Sequence, residues 1–408
     1  MDRVERRIIF IASFAHMVSH FNTGVFPALV LPLTDVLGIS IPAVVQLSFW
    51  HYLLFGITAL PWGVLGDWVG ARFLLVVFFA GCAVSGFACA LYVDSPWALS
   101  AGLAGLGLFS GIYHPIGMGL ISKGVRTISL AMGYNAVFGG VGLVIAPLVA
   151  GIMNWIWGPA ALFVFVGLLN LVGTSLVMLC PDTSTVERAQ TTPSGQENGN
   201  LKAFLLFLLP VGLAGLAFTG SSVVLPAYLE LNSPSLFHSL RTLVPGSLSN
   251  NVMATAITAI VYLVGMVGQY AGGVAGQRFE TKYSYLTFHA LCIPSAFLMA
   301  VATDVSLASL AMLYFFFLLG MQPSENTLVA HFAPKRLHHS AFGLKFVFTF
   351  GVGSLAVKMV GWINQAWGLS SVFIALGVCS ILTVASIVVL LIVSSKRTAT
   401  KQSFVEAR

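Results

Sequence analysis

"PWGVLGDWVGAR", residues 61–72, interrupts sixty residues of nearly continuous apolar sequence, and the chain turns apolar again directly after it. Three glycines, Asp67 and Arg72 fall within these twelve positions. At an offset of 210 residues "GVLGDWVGAR" (63–72) aligns with "GVAGQRFETK" (273–282). Glycines let two helices approach closely, and a short charged turn can reach a neighbouring helix end. Asp67 is suited to the positive N-terminus of another helix. The stretch therefore reads as a helix-to-helix turn that occurs once in each half of a duplicated chain.

The duplication extends well beyond this turn. At the same offset Ala131, Gly133, Val137, Phe138, Gly151, Asn154, Trp157, Gly158, Phe163 and Gly167 recur as Ala341, Gly343, Val347, Phe348, Gly361, Asn364, Trp367, Gly368, Phe373 and Gly377. Pro27-Ala28 recurs as Pro226-Ala227 at an offset of 199, so the second half carries a longer loop around 230–250.

Only 8% of the residues are charged and 58% are hydrophobic. A soluble domain carries roughly 25% charge, so most of this surface must face lipid. A bilayer-spanning helix needs about 20 apolar residues. Twelve segments qualify, at about 8–34, 42–66, 72–93, 97–122, 128–153, 157–180, 203–229, 251–276, 282–303, 305–333, 341–364 and 370–394. The alternation of a β-barrel is absent. The expected fold is an all-α integral membrane protein with 12 transmembrane helices in two pseudo-symmetric six-helix bundles. The first bundle covers 1–180 and the second 203–395. A polar linker at 181–202 joins them, and a tail follows at 396–408. The basic start "MDRVERR" leads into an apolar stretch broken by His16, His20 and Asn22, which reads as an uncleaved first helix.

Sixteen of the 19 lysines and arginines fall on the side of the N-terminus, and only Arg241 falls in an opposite connection. The positive-inside rule then puts both termini in the cytoplasm of a multi-pass plasma (inner) membrane protein. The basic residues are scattered, which argues against nucleic acid. The five cysteines lie in apolar runs without metal-ligand spacing. No Walker loop, metalloprotease motif or nucleophile elbow occurs, so no enzyme activity and no cofactor are expected.

The twelve helices, the duplication and the cytoplasmic linker together resemble the major facilitator superfamily of transporters, and the resemblance covers essentially the whole chain. The family's loop motif G-x-x-x-D-R-x-G-R-R/K is matched by Gly63, Asp67, Gly70 and Arg72, with Trp68 and Ala71 in place of two basic residues. The resemblance assigns these four to a gate. "GLVIAPLVAG" (142–151) is similar to the antiporter motif G-x-x-x-G-P-x-x-G-G, which Gly142, Pro147 and Gly151 match while Ala146 and Ala150 replace glycines. Ordinary packing in a glycine-rich helix is the alternative there. "SHFNTGVFPALVLPL", "GIYHPIGMGLIS" and "QPSENTLVAHFAP" resemble bacterial efflux permeases of the fosmidomycin-resistance and arabinose-efflux-like group.

Ionisable groups inside membrane helices tend to face a cavity. His16 lies nine residues beyond Arg7, His114 nine before Lys123, Asn135 nine beyond Arg126, Glu325 ten before Lys335 and Lys345 nine beyond Arg336. At 1.5 Å per residue all five sit roughly 14 Å deep, near the middle of the bilayer core. A shared polar cavity is expected, with His20, Tyr113 and Gln322 beside them. The histidines could instead be structural hydrogen-bonders, and Glu325 and Lys345 could be a static pair. If mobile, Glu325 is a proton carrier. His114 and Met118, at i and i+4, are the residues a soft metal would use, but no metal site is expected.

The resemblance implies secondary transport by alternating access: proton-coupled efflux of a small organic solute, by a monomer in the bilayer. Proton-coupled uptake of an organic anion, a metal-ion transporter, and a non-transporting receptor on the same scaffold are the alternatives.

Overall fold

Lipid offers the backbone no hydrogen-bond partner, so a spanning segment must close its own ladder as a helix. The computed structural model describes residues 1–180, 200–243, 248–333 and 338–406. The linker at 181–199 lies outside the described residues, as do the side chains of Asp67, Ser129, residues 338–340 and residues after 392.

Among the described residues eleven helical segments are long and apolar enough to span. In chain order they are α1 (Arg3–Leu37), α2 (Ile41–Gly66), α3 (Ala71–Leu91), α4 (Pro96–Gly124), α5 (Leu130–Trp157), α6 (Pro159–Leu179), α7 (Leu201–Asn232), α8 (Asn250–Arg278), α10 (Asp304–Phe332), α11 (Ala341–Trp367) and α12 (Ser370–Ile392). Between α8 and α10 lies α9 (Thr281–Met299), a helix of 19 residues. Lys282, Ser284, His289 and Ser295 make it less apolar than the others. The last helix runs on to Glu406, past the boundary expected near residue 394.

Several helices are discontinuous, for a local reason. Pro115 has no N–H to give to Gly111, and α4 divides into Pro96–Ser110 and Tyr113–Gly124. Pro323 divides α10 into Asp304–Gly320 and Gln322–Phe332 in the same way. A 3-10 turn at Phe26–Leu29, with Pro27 inside it, bends α1. In α11 a π-helical segment spans Val347–Val352.

The sequence repeat is also a backbone repeat. Gly158 and Gly368 end α5 and α11 at φ 80° and 83°, ψ 174° and 166°. This is a region essentially reserved for glycine. Each donates its N–H to the asparagine carbonyl four residues back, Asn154 at 2.9 Å and Asn364 at 3.0 Å. Gly70, in the opening motif, plays a comparable part at the α2–α3 turn with φ 83°.

Within the first bundle α1 packs on α5, α2 on α4 and α3 on α6; in the second, α7 packs on α11, α8 on α10 and α9 on α12. The bundles meet mainly through two repeat-related pairs, α2 with α11 and α5 with α8, and α1 also touches α7. Glycine makes that approach possible. A Cβ on Gly56 would strike the backbone of Gly351, one on Gly151 the Thr255 side chain, and one on Gly361 the Gln46 side chain. Buried Asn22 and Asn170 exchange hydrogen bonds at 3.0 and 3.3 Å and, with Ser110, lock α1, α6 and α4 together.

At the end of the bundle opposite the termini, Asn251 joins the halves. It accepts from Asn154 Nδ2 at 3.3 Å and donates to Ala28 O at 2.9 Å and Glu230 Oε2 at 3.0 Å. Lys358 holds its ammonium 4.6 Å from the Phe49 ring centroid, across α2 and α11. The long loop around 230–250 contains a helix, Pro234–Leu243, docked on α10: Leu236 N–H donates to Asp304 Oδ1 at 2.8 Å and Phe237 is buried.

Candidate functional site

The expected midplane residues make their direct polar contacts as two clusters, one in each half. In the first half His16 and His20, one turn apart on α1, face Tyr113 and His114 at the break in α4. His16 Nδ1 lies 2.8 Å from the Asn135 carbonyl of α5, and His16 Nε2 lies 3.1 Å from His20 Nε2. Tyr113 Oη donates to Asn135 Oδ1 at 2.6 Å and stacks its ring on His16, centroids 4.8 Å apart. His114 is buried, and its Nε2 has no hydrogen-bond partner.

In the second half Lys345 Nζ lies 3.0 Å from Glu325 Oε1, and both side chains are buried. Tyr285 Oη of α9 donates to Glu325 Oε2 at 3.0 Å. Lys345 also donates to Asn326 Oδ1 at 3.1 Å, and Asn326 is exposed. Gln322, one turn before Asn326, accepts from Gln269 of α8 at 2.7 Å instead of joining the ion pair.

Aromatic rings of both halves meet at His114. Phe346 and Phe350 of α11 stack on His114 at 4.9 and 5.8 Å, and Phe55 of α2 meets it edge-on at 5.7 Å. The Lys345 ammonium sits 5.1 Å from the same Phe346 ring. Depth along a helix says nothing about the angle a side chain takes around it, and Phe346 and Phe350 look like ordinary membrane sequence. Tyr285, Asn326 and Gln269 escape a reading by depth for the same reason. A cavity of about 40 Å³ lies between the halves, lined by His20, Thr23, Tyr52, Phe55, Tyr262 and Phe350 among others.

The two motifs occupy packing positions. Gly63 faces Pro115 of α4, where a Cβ would come within 3.2 Å. Arg72 donates to the Met178 carbonyl at 2.8 Å, a cation at the C-terminal end of α6 in the same half. The expected Asp67 contact lies outside the described residues. In α5 a Cβ on Gly142 would strike the Met17 backbone of α1, Pro147 sits inside the helix, and Gly151 seats Thr255 of α8.

The sequence-family model described as Major Facilitator Superfamily matches residues 9–357. No curated protein resembles the chain in sequence at a significant level. Among solved structures it is similar to a bacterial homolog of the human lysosomal transporter Spinster in an inward-facing, unoccupied conformation. The TM-score is 0.72 and the identity 15%, over 96% of this chain and 97% of that one. A mutant form of the nucleoside transporter NupG matches with TM-score 0.74 and 14% identity, over 95% of this chain and 100% of that one. Identities this low speak for the fold alone.

Proposed function

Because the chain belongs to the Major Facilitator Superfamily, whose members are secondary transporters and not enzymes, we propose that it couples proton movement to export of a small organic solute. The observation that carries this reading is the buried Glu325–Lys345 pair with Tyr285 on the same carboxylate. An ion pair removed from water holds its protons according to its partners. If the halves rock about α2–α11 and α5–α8, α11 moves relative to its neighbours, and the carboxylate takes up a proton in one state and releases it in the other.

Export, rather than uptake, rests on the antiporter-like positions Gly142, Pro147 and Gly151, which bring α5 tightly against α1 and α8. The excess of lysine and arginine at the terminal end supports a plasma-membrane protein with both termini in the cytoplasm. Gly63, Asp67, Gly70 and Arg72 then lie at the cytoplasmic gate.

The test is flux in proteoliposomes across a panel of organic solutes. An imposed pH gradient should drive solute against its gradient, and Glu325→Gln should abolish the drive while leaving downhill exchange. Flux that ignores the pH gradient in the wild type overturns the reading. Uptake of an organic anion lost in Lys345→Gln would reverse the direction.

A further inference from the structure

We propose that His16, His20 and His114 form a binding site for a divalent first-row transition-metal ion, independent of the Glu325–Lys345 pair. Each histidine offers one ring nitrogen, and the three nitrogens lie within 4.8 Å of one another. In a tetrahedral site with metal–nitrogen bonds of about 2.0–2.1 Å, ligand nitrogens are roughly 3.3 Å apart. His16 Nε2 and His20 Nε2, at 3.1 Å, already hold that spacing. His114 completes the set by a small ring displacement.

The surroundings are those a ligand histidine requires. A metal-bound imidazole commonly gives its other N–H to a carbonyl, which fixes the tautomer and aims the lone pair. His16 Nδ1 is placed to do so at the Asn135 carbonyl, 2.8 Å away. Asn135 is itself held by Tyr113, and the Tyr113 ring lies nearly parallel to His16, at 20°. His16 Nε2 is then left with a lone pair directed at His20.

His114 Nε2 is buried without a partner, as are His51 Nε2 and His289 Nε2, but His114 stands beside two further imidazoles, its ring centroid 5.3 and 5.5 Å from those of His16 and His20. Buried polar atoms are nearly always paired, and an unpaired one calls for an explanation such as an ion.

The donor set selects the ion. Three imidazoles suit Zn²⁺, Ni²⁺, Co²⁺ or Cu²⁺ and not the oxygen-seeking Mg²⁺ or Ca²⁺. The cavity that His20 lines, at about 40 Å³, has room for a water or a solute donor atom as a further ligand. The neighbouring cation, Lys345, is neutralised by Glu325. Phe346 stacks on His114 from the opposite half, at 25° between the rings. Fixing the His114 ring therefore registers at the interface on which alternating access turns.

The test uses the full chain, purified without a histidine tag and placed in nanodiscs. Titration with Co²⁺ should show one ion per chain and the intense visible absorption of four-coordinate cobalt, and Zn²⁺ should displace it. His20→Gln and His114→Gln should each weaken affinity at least about tenfold, while His51→Gln, elsewhere in the first half, leaves it unchanged. If a variant fails to fold, the wild-type cobalt spectrum decides. Weak octahedral absorption, no binding tighter than about 1 mM, or equal binding by the His20→Gln/His114→Gln protein overturns the proposal. These are equilibrium readouts without flux or a pH gradient, so their failure leaves proton-coupled transport standing, and the converse holds too.

Discussion

Lys345 Nζ lies 3.0 Å from Glu325 Oε1, joining α11 to α10 through two buried charges that are also held by Tyr285 and Asn326. Removing one member of a buried pair strands the other, at a cost of about 3–5 kcal/mol, whereas replacing both with apolar residues of similar size is often neutral. Glu325→Met and Lys345→Met should each lower the unfolding free energy of the purified protein by that order. The double variant should recover most of the loss. Single variants as stable as wild type would mean the pair is solvated in the working protein.

That pair also marks where the sequence could be read and where it could not. The bilayer demands long apolar helices, so the helices and the repeat were legible, down to the Trp-Gly that closes α5 and α11. Depth counting placed Glu325 and Lys345 at one level because a helix rises uniformly. It could not say that Phe346 and Phe350 would pack on His114 from the other half. Angular position depends on the π-helical turn at Val347–Val352 and on the break before Pro115, which are set by packing between helices. The convergence of His114 with His16 and His20 was hidden for the same reason: two helices far apart in sequence meet there.

The repeated caps provide a test of the duplication itself. Gly158 and Gly368 share a backbone conformation that any side chain strains, and a Cβ added at either would meet nothing within 4 Å. Gly158→Ala and Gly368→Ala should therefore destabilise through backbone alone, by about 1–3 kcal/mol each. Being in different halves, their effects should add in the double variant. Thermal unfolding of the four proteins measures this, and sharply unequal losses would break the equivalence.

Asn251 is the polar fastener opposite the termini, with hydrogen bonds reaching α5, α1 and α7. Each is worth roughly 0.5–1.5 kcal/mol net, and about 1.4 kcal/mol shifts a two-state equilibrium about tenfold. Asn251→Ala should favour the state open at this end. A cysteine introduced by Ala28→Cys, beside the fastener, should then react with an impermeant thiol reagent about tenfold faster than in the Asn251 background. An unchanged rate would show that the end is closed by packing, with the asparagine incidental.

Close approach of α2 and α11 at Gly56 and Gly351 supplies the sharpest discrimination between stability and function. Replacing glycine by alanine inside an exposed helix normally stabilises, by about 0.5–1 kcal/mol. At Gly133 on α5 nothing lies within 4 Å of an added Cβ, so Gly133→Ala should follow that rule. At Gly56 the same methyl would land on the Gly351 backbone, which cannot step aside as a side-chain tip can. Gly56→Ala should push α2 away from α11, depopulate the state in which Phe55 meets Phe350 and His114, and reduce solute flux severely while the protein still folds. Spin-label distances between α2 and α11 would report the displacement directly. If flux and distance stay at wild-type values in Gly56→Ala, the two helices do not come this close during the transport cycle.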